Sequence, residues 1–212
     1  MKFRSRIMST TLFCLSFISS HAQTYDVQKL LEEKKFKLNL PQPYAFDDNE
    51  SGKKVIGLSG IAWLKGVEFS TGTIEVDLRG QNVFQRSFIG IAFHGIDSAI
   101  YDAVYFRPFN FRADDPERKI HAVQYMALPD NDWSKLRKEQ NGVYEKGITP
   151  APAATDWFHA KIEVTKDEII VYVNNSTSAS LKVKKLNSRT TGQIALWNEG
   201  LDGQFANLVI SK

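Results

Sequence analysis

From Pro41 onward, apolar and polar residues alternate in short runs, the period-two pattern of strands with one buried face. The runs that predict strands are Val55 to Leu58, Gly60 to Trp63, Gly72 to Arg79, Phe88 to His94, Tyr101 to Arg107, His121 to Leu128, Trp157 to Thr165, Glu168 to Asn174, Ser180 to Val183, Gly192 to Trp197 and Gln204 to Ser211. Clusters of Gly, Asn, Asp and Pro separate them, as in an all-β sandwich. The one stretch with helical spacing is "DVQKLLEEKKFKL", residues 26–38, which sets Val27, Leu30, Leu31 and Lys34 on one narrow face. The pattern predicts two packed antiparallel sheets over residues 41–212, preceded by a short helical segment at 23–40.

Alternation also assigns faces, because successive strand residues point to opposite sides. In "TIEVDLR", Ile74, Val76 and Leu78 face one way and Glu75, Asp77 and Arg79 the other. In "FIGIAFH", Ile89, Ile91 and Phe93 oppose Phe88, Gly90, Ala92 and His94, a mostly small set that suits a strand with something other than core above it. In "YDAVYFR", Val104 and Phe106 oppose Ala103, Tyr105 and Arg107. These three strands are expected to build one polar and aromatic face. In "GQIALWNEG", Ile194 and Leu196 point inward while Trp197 and Glu199 point outward, and the last strand breaks phase near Asn207. Two long insertions interrupt the rhythm, Phe111 to Ile120 and Pro129 to Thr155, and the second is a candidate site wall or lid.

The start of the chain changes the charge picture. Lys2, Arg4 and Arg6, an apolar run from Ile7 to Ile18, and the exit Ser20-His21-Ala22 read as a secretory signal peptide over residues 1–22, so the mature protein is expected to be exported, to the periplasm or beyond the cell. That leader carries three of the 27 Lys and Arg and none of the 24 Asp and Glu, which leaves the remainder balanced. A balanced chain gives no reason to expect nucleic acid as a partner, and no later run has the length of a membrane span. The single cysteine, Cys14, lies in the leader behind the bulky Phe13, so neither a lipid anchor, a disulfide nor a thiolate metal site is expected.

The order "GTIEVDLRG", "FIGIAFHG", "YDAVYFRPFNF", "DWFHAKIEVTKDEIIVYVNN" and "TGQIALWNEGLDGQFANLVI" resembles the concanavalin A-like lectin and glucanase superfamily. More narrowly, it is similar to secreted bacterial domains related to laminin-G-like modules and to the 3-keto-disaccharide hydrolase domain family. The resemblance covers roughly residues 50–211. It implies an antiparallel two-sheet jelly-roll sandwich whose concave sheet meets carbohydrate. Glycoside hydrolases of this superfamily carry the strand motif E-x-D-x-x-E; here Glu75 and Asp77 occupy its first two acidic positions, but Gly80 stands at the last. Retaining chemistry needs two carboxyls about 5 to 5.5 Å apart, so the missing acid argues against that mechanism.

Candidate ligand contacts follow from the stretch "YFRPFNFR", Tyr105 to Arg112. Arg107 offers a fork of donors and Asn110 both a donor and an acceptor, while Pro108 ends the strand pairing. The bland alternative stacks Arg107 on Tyr105 or Phe109 and pairs it with Glu75 or Asp77. The aromatics Tyr105, Tyr125, Trp133, Tyr144 and Trp197 are candidates to stack on sugar rings, with Glu199 beside them; Trp157 reads as core. If the protein is an enzyme, Glu75, Asp77 and His94 are its candidate catalytic groups. No histidine pair has zinc spacing. Asp47, Asp48, Asn49 and Glu50, with Asp97 or Asp102, offer oxygen ligands that could hold calcium. Three functions stay open: a carbohydrate-binding module, a glycan-processing hydrolase in the same cleft, and a laminin-G-like module for a protein partner.

Overall fold

A computed structural model describes residues 22–38 and 42–212; residues 1–21 of the expected leader lie outside the described residues. The chain runs β1 (Ala22–Tyr25), α1 (Val27–Glu32), β2 (Phe36–Leu38), β3 (Tyr44–Asp48), β4 (Lys53–Phe69), β5 (Gly72–Arg79), β6 (Ser87–Gly95), β7 (Asp102–Phe106), α2 (Pro116–Lys119) and β8 (Val123–Ala127). It continues through α3 (Trp133–Glu139), β9 (Glu145–Lys146), β10 (Phe158–Val164), β11 (Glu168–Val173), β12 (Leu181–Lys184) and β13 (Gly192–Ser211). The expected helix over 26–38 is shorter. Asp26 caps it by accepting from the Gln28 and Lys29 amides, each at 3.1 Å. Lys34 then takes φ 54°, a left-handed turn that ends the helix. Phe36 to Leu38 pair with Leu64 to Ala62, so the end of this segment belongs to the sandwich.

Two long strands build both layers. The first half of β13 (Gly192 to Gly200) lies between β6 and the second half of β4, and its second half (Gly203 to Ser211) lies beside β5. One layer is therefore β2–β4–β13–β6–β7–β8–β9. The other is β3–β4–β13–β5–β10–β11–β12, with β1 on the end of β13. What reads in the sequence as two pairs of short strands, broken at Gly60 and after Trp197, is one bent pair. The register slips between Asn198–Gly60 and Gly203–Leu58, where Gly60 and Gly200 adopt φ of 99° and 89°. A side chain at Gly200 would also meet the Arg86 carbonyl at 2.3 Å, so only glycine fits this bend.

The two layers close on the residues that alternation assigns inward: Ile74, Val76 and Leu78 from one, Ile89, Ile91, Val104, Phe106, Ile194 and Leu196 from the other. A second apolar cluster covers the outer face of the β6–β7 layer. There Trp63, Tyr101, Tyr105 and Trp197 lie over Ala92, Ala103 and Ala195, with Leu136 of α3 against them. The small residues of β6 have this as their reason. A side chain on Gly90 would meet the Val104 carbonyl at 2.1 Å and the Tyr105 Cα at 2.6 Å, so β7 and its tyrosine crowd the strand directly. The phase break near Asn207 is present as a register shift between Ala206 and Val209, with Asn207 at φ 51°. Among the described residues no helix is long and apolar enough to cross a membrane.

Phe106 is fully buried, 5.0 Å from the Phe158 ring across the layers. Phe106→Ala is expected to lower the unfolding free energy by about 3 to 5 kcal/mol through lost burial and the cavity it leaves, measured by urea titration.

Candidate functional site

The site begins where β7 ends. Arg107 donates its amide to the Ala122 carbonyl at 2.8 Å; Pro108, which has no amide proton, then opens a single 3-10 turn, Pro108–Asn110. That turn leaves the Arg107 side chain over the outer face of the sheet. The guanidinium lies 4.8 Å from the Tyr105 ring centroid and is only 4% exposed. Its Nη2 donates to the Tyr105 hydroxyl at 2.6 Å and to Gln124 Oε1, and the hydroxyl in turn donates to Gln124 Oε1 at 2.6 Å. Its Nη1 donates to the His121 carbonyl at 3.1 Å and to Glu145 Oε2 at 3.2 Å. Asn110 Nδ2 donates to the same His121 carbonyl at 3.1 Å.

Glu145, supplied by the second insertion, is the buried acid of this network, at 1% exposure. It also accepts from Arg137 Nε at 3.0 Å and Nη2 at 2.8 Å, a two-pronged contact. Burial alone would raise its pKa, but Arg137 and Arg107 outweigh that and hold it below the usual carboxylate value. Burial lowers the Arg107 pKa and raises that of the Tyr105 hydroxyl. His121 Nδ1 lies 2.8 Å from Glu145 Oε2, close yet out of line for a hydrogen bond. Burial also lowers the His121 pKa.

Above this network opens a cleft of about 410 Å³. Its floor is Tyr105, Arg107, Met126 and Trp197. Phe84, Phe88, Phe109 and Arg118 form one side, and Trp133 and Arg137 the other, with Glu199 exposed at the rim. Both insertions contribute. Asp132 caps α3 by accepting from the Ser134 and Lys135 amides at 2.7 and 2.8 Å, and one turn of helix then places the Arg137 guanidinium 5.4 Å from the Trp133 ring centroid. Trp133 is 50% exposed. Trp197 is buried beneath the cleft and donates from its indole to the Tyr101 hydroxyl at 3.1 Å. Two roomier depressions, beside Tyr44 and Asp202 and beside Thr165 and Lys185, are more open and have one aromatic lining residue between them.

The predicted ligand contacts therefore divide. Tyr105, Arg107, Asn110, Trp133, Trp197 and Glu199 come together at the cleft. Tyr125 does not: it is a core residue whose ring stacks on Phe93 at 6.4 Å and whose hydroxyl donates to Asp102 at 3.2 Å. Tyr144 is half-buried between the two apolar clusters, 6.3 Å from the Tyr125 ring, outside the cleft lining. The partner of Arg107 is Glu145, not Glu75 or Asp77. Gln124, Glu145, Arg118, Arg137 and Phe84 carry no motif in the sequence; an Asp cap followed by Trp133 and Arg137 four residues apart is the available signal.

The candidate catalytic residues lie elsewhere. Glu75 and Asp77 project from β5 on the outer face of the other layer, so the expected single face of three strands is two opposite faces. His159, directly opposite Asp77 on β10, bridges them, with Nδ1 2.8 Å from Asp77 and Nε2 3.1 Å from Glu75. Lys53 and Asn207 also donate to Asp77, each at 2.7 Å. His94 is fully buried at a bulge with φ 49°, its ring nitrogens 3.0 Å from Asp102 and 2.6 Å from the Ser70 carbonyl. Trp157 is half-buried, not core: its indole donates to Asp48 at 2.8 Å and its ring lies 4.6 Å from the Arg79 guanidinium. Asp97 accepts from its own turn, at Ala99 and Ile100, and Asp102 also binds Arg189. Among the described residues no three His, Asp or Glu side chains gather as a metal-holding group.

No family model matches the sequence, and no curated protein matches it. Solved structures do match in shape. The carbohydrate-binding module CBM66 from Bacillus subtilis superposes with a TM-score of 0.52 at 16% identity, over 78% of this chain and 89% of its own. The kappa-carrageenase from Zobellia galactanivorans gives 0.51 at 11% identity, over 93% and 98%. The fold these proteins share with this chain is an antiparallel β-sandwich. Domain 4 of the extracellular arabinanase AbnA from Geobacillus stearothermophilus, solved in complex with arabinotriose, superposes with a TM-score of 0.50 at 13% identity, over 91% of this chain and 82% of its own. At these identities the likeness establishes the fold alone.

Two predictions follow from this geometry. Arg107→Ala leaves Tyr105 and Gln124 short of a donor and Glu145 with one guanidinium fewer, so it is expected to cost roughly 3 kcal/mol of stability. An unchanged thermal transition would show that the network contributes nothing. The second concerns pH. Asp77 holds His159 above its ordinary pKa, so the stability this bridge adds is complete below about pH 6.5 and fades as pH rises through the folded value. Asp77 itself is lowered to about 2, because hydrogen bonds from His159, Lys53 and Asn207 outweigh burial, and its contribution fades only as pH falls below about 4. The stability difference between the parent and His159→Gln is therefore expected to be largest near pH 5 and smaller near pH 8 or 9, read by urea unfolding across that range.

Proposed function

We propose that the protein is an exported carbohydrate-binding domain that takes a glycan in the cleft above Arg107. The observation that carries this reading is Trp133, a half-exposed indole held by a capped helix and backed by Arg137 at the mouth of a cleft lined with further aromatic rings. An aromatic plane suits the C–H face of a sugar ring, and fixed guanidinium and amide donors suit its hydroxyls. The carbohydrate-binding module and the arabinotriose-bound arabinanase domain support it as proteins of the same fold. The leader-like start of the chain supports export.

A hydrolytic reading of the same cleft has none of Glu75, Asp77 and His94 to draw on, since the first two lie on the opposite face and His94 is buried. It draws instead on His121, which lines the cleft beside Glu145. A protein-binding, laminin-G-like role fits less well, because the exposed rings of Phe84 and Trp133 lie in a cleft with converging polar groups and not on a flat apolar patch.

A glycan array followed by calorimetry on the best oligosaccharide tests the proposal. Trp133→Ala is expected to weaken binding about tenfold, ~1.4 kcal/mol, with the thermal transition nearly unchanged. Equal affinity in the variant would remove Trp133 from the site, and turnover of the oligosaccharide would favour the His121 reading.

A further inference from the structure

The chemistry of the cleft points to the kind of glycan. Three guanidiniums line it, from Arg107, Arg118 and Arg137. Beneath them lies one carboxylate, Glu145, which accepts from Arg107 and Arg137. Among the described residues the one carboxylate in the lining itself is Glu199, which is exposed at the rim, where solvent and salt screen it.

Arg118 is different from the other two. Among the described residues it has no carboxylate partner; its Nε donates to Asn110 Oδ1 at 3.2 Å and its Nη2 to the Phe109 carbonyl at 2.8 Å. Its guanidinium lies 4.5 Å from the Phe84 ring centroid, and the Phe84 ring meets Phe109 edge-on at 5.6 Å. Neutral acceptors and a ring thus hold the group in place without cancelling its charge, while Nη1 makes no hydrogen bond to the described residues. A long side chain immobilised in this way is pre-organised for a planar or tetrahedral oxyanion, since less rotamer freedom is lost when the anion arrives.

On the carbohydrate-binding reading above, we infer that the cleft selects an anionic sugar unit, a carboxylate or sulfate ester accepting from Arg118 while the sugar ring lies against the aromatic walls. Neutral glycans offer hydroxyl oxygens only, and these leave the unpaired cation in a partly desolvated cleft without a counter-charge. The anion supplies the charge that Glu145 does not.

Isothermal titration of the whole protein with two matched pairs tests this: an oligogalacturonate against its methyl ester, and a sulfated galactan oligosaccharide against its desulfated counterpart. The expected result is that the anionic member of at least one pair binds about tenfold or more tighter than its neutral partner. Which pair discriminates tells carboxylate from sulfate. Arg118→Gln is expected to close that gap by weakening the anionic member far more than its neutral partner, with the thermal transition in place. Arg118→Lys, which keeps the charge but not the fork, is expected to restore part of it.

Neutral and anionic members that bind alike, or an Arg118→Gln variant that weakens both equally, would overturn the anion inference and leave the glycan reading standing. Failure of every member of both pairs, together with a blank glycan array, would overturn the glycan reading and the inference with it.

Discussion

The cleft depends on one carboxylate. Glu145 is buried under the outer face of the β6–β7 layer, and a charge there is tolerable only while cations and donors surround it. Arg107 comes from the end of β7, Arg137 from α3 and Glu145 from β9, so this contact ties the sheet to the insertion that covers it. Once it forms, α3 can sit in one place, Leu136 packs on the outer cluster, and Trp133 stands at the cleft mouth. Arg107 is therefore first a structural residue. Its contact with ligand would be an addition to that role.

The bend in the two long strands sets the other constraint. Because β4 and β13 pass through both layers, every strand beside them has one face on the common core and one facing outward, and the two outward faces lie on opposite sides of the molecule. The charged row of β5 and the aromatic row of β7 look alike in the sequence, yet they never meet. One carries the His159 bridge between Asp77 and Glu75, which joins neighbouring strands. The other carries the cleft. Glycine at positions 60 and 200 makes this arrangement possible, since the bend takes a backbone conformation that a side chain would strain.

The aromatic residues show how context divides one chemical type. Tyr105 and Tyr125 occupy neighbouring antiparallel strands with opposite parity; one faces the cleft floor and the other lies in the core. Trp197 and Trp133 both line the cleft, but Trp197 is packed and hydrogen-bonded beneath it while Trp133 is open at its mouth. Only the second has a face free for a ligand.

Strand periodicity alone determined the sandwich, the inward set of Ile74, Val76, Leu78, Ile91, Val104, Phe106 and Leu196, and the placing of Tyr105 and Arg107 on one outer face, because alternation is a local property of the backbone. It also marked the end of β7 through Pro108, but it read the bends of β4 and β13 as breaks between short strands. It did not determine which outer face belongs to which layer. That assignment separates Glu75 and Asp77 from Arg107, and it is made by pairing between strands far apart in the chain. Glu145, Arg118 and Arg137 sit in insertions with no period to read, and their roles exist only where β9, α2 and α3 fold back over the sheet. The tertiary structure decided the site because a buried charge must find its partners in space, and no spacing along the chain encodes that distance.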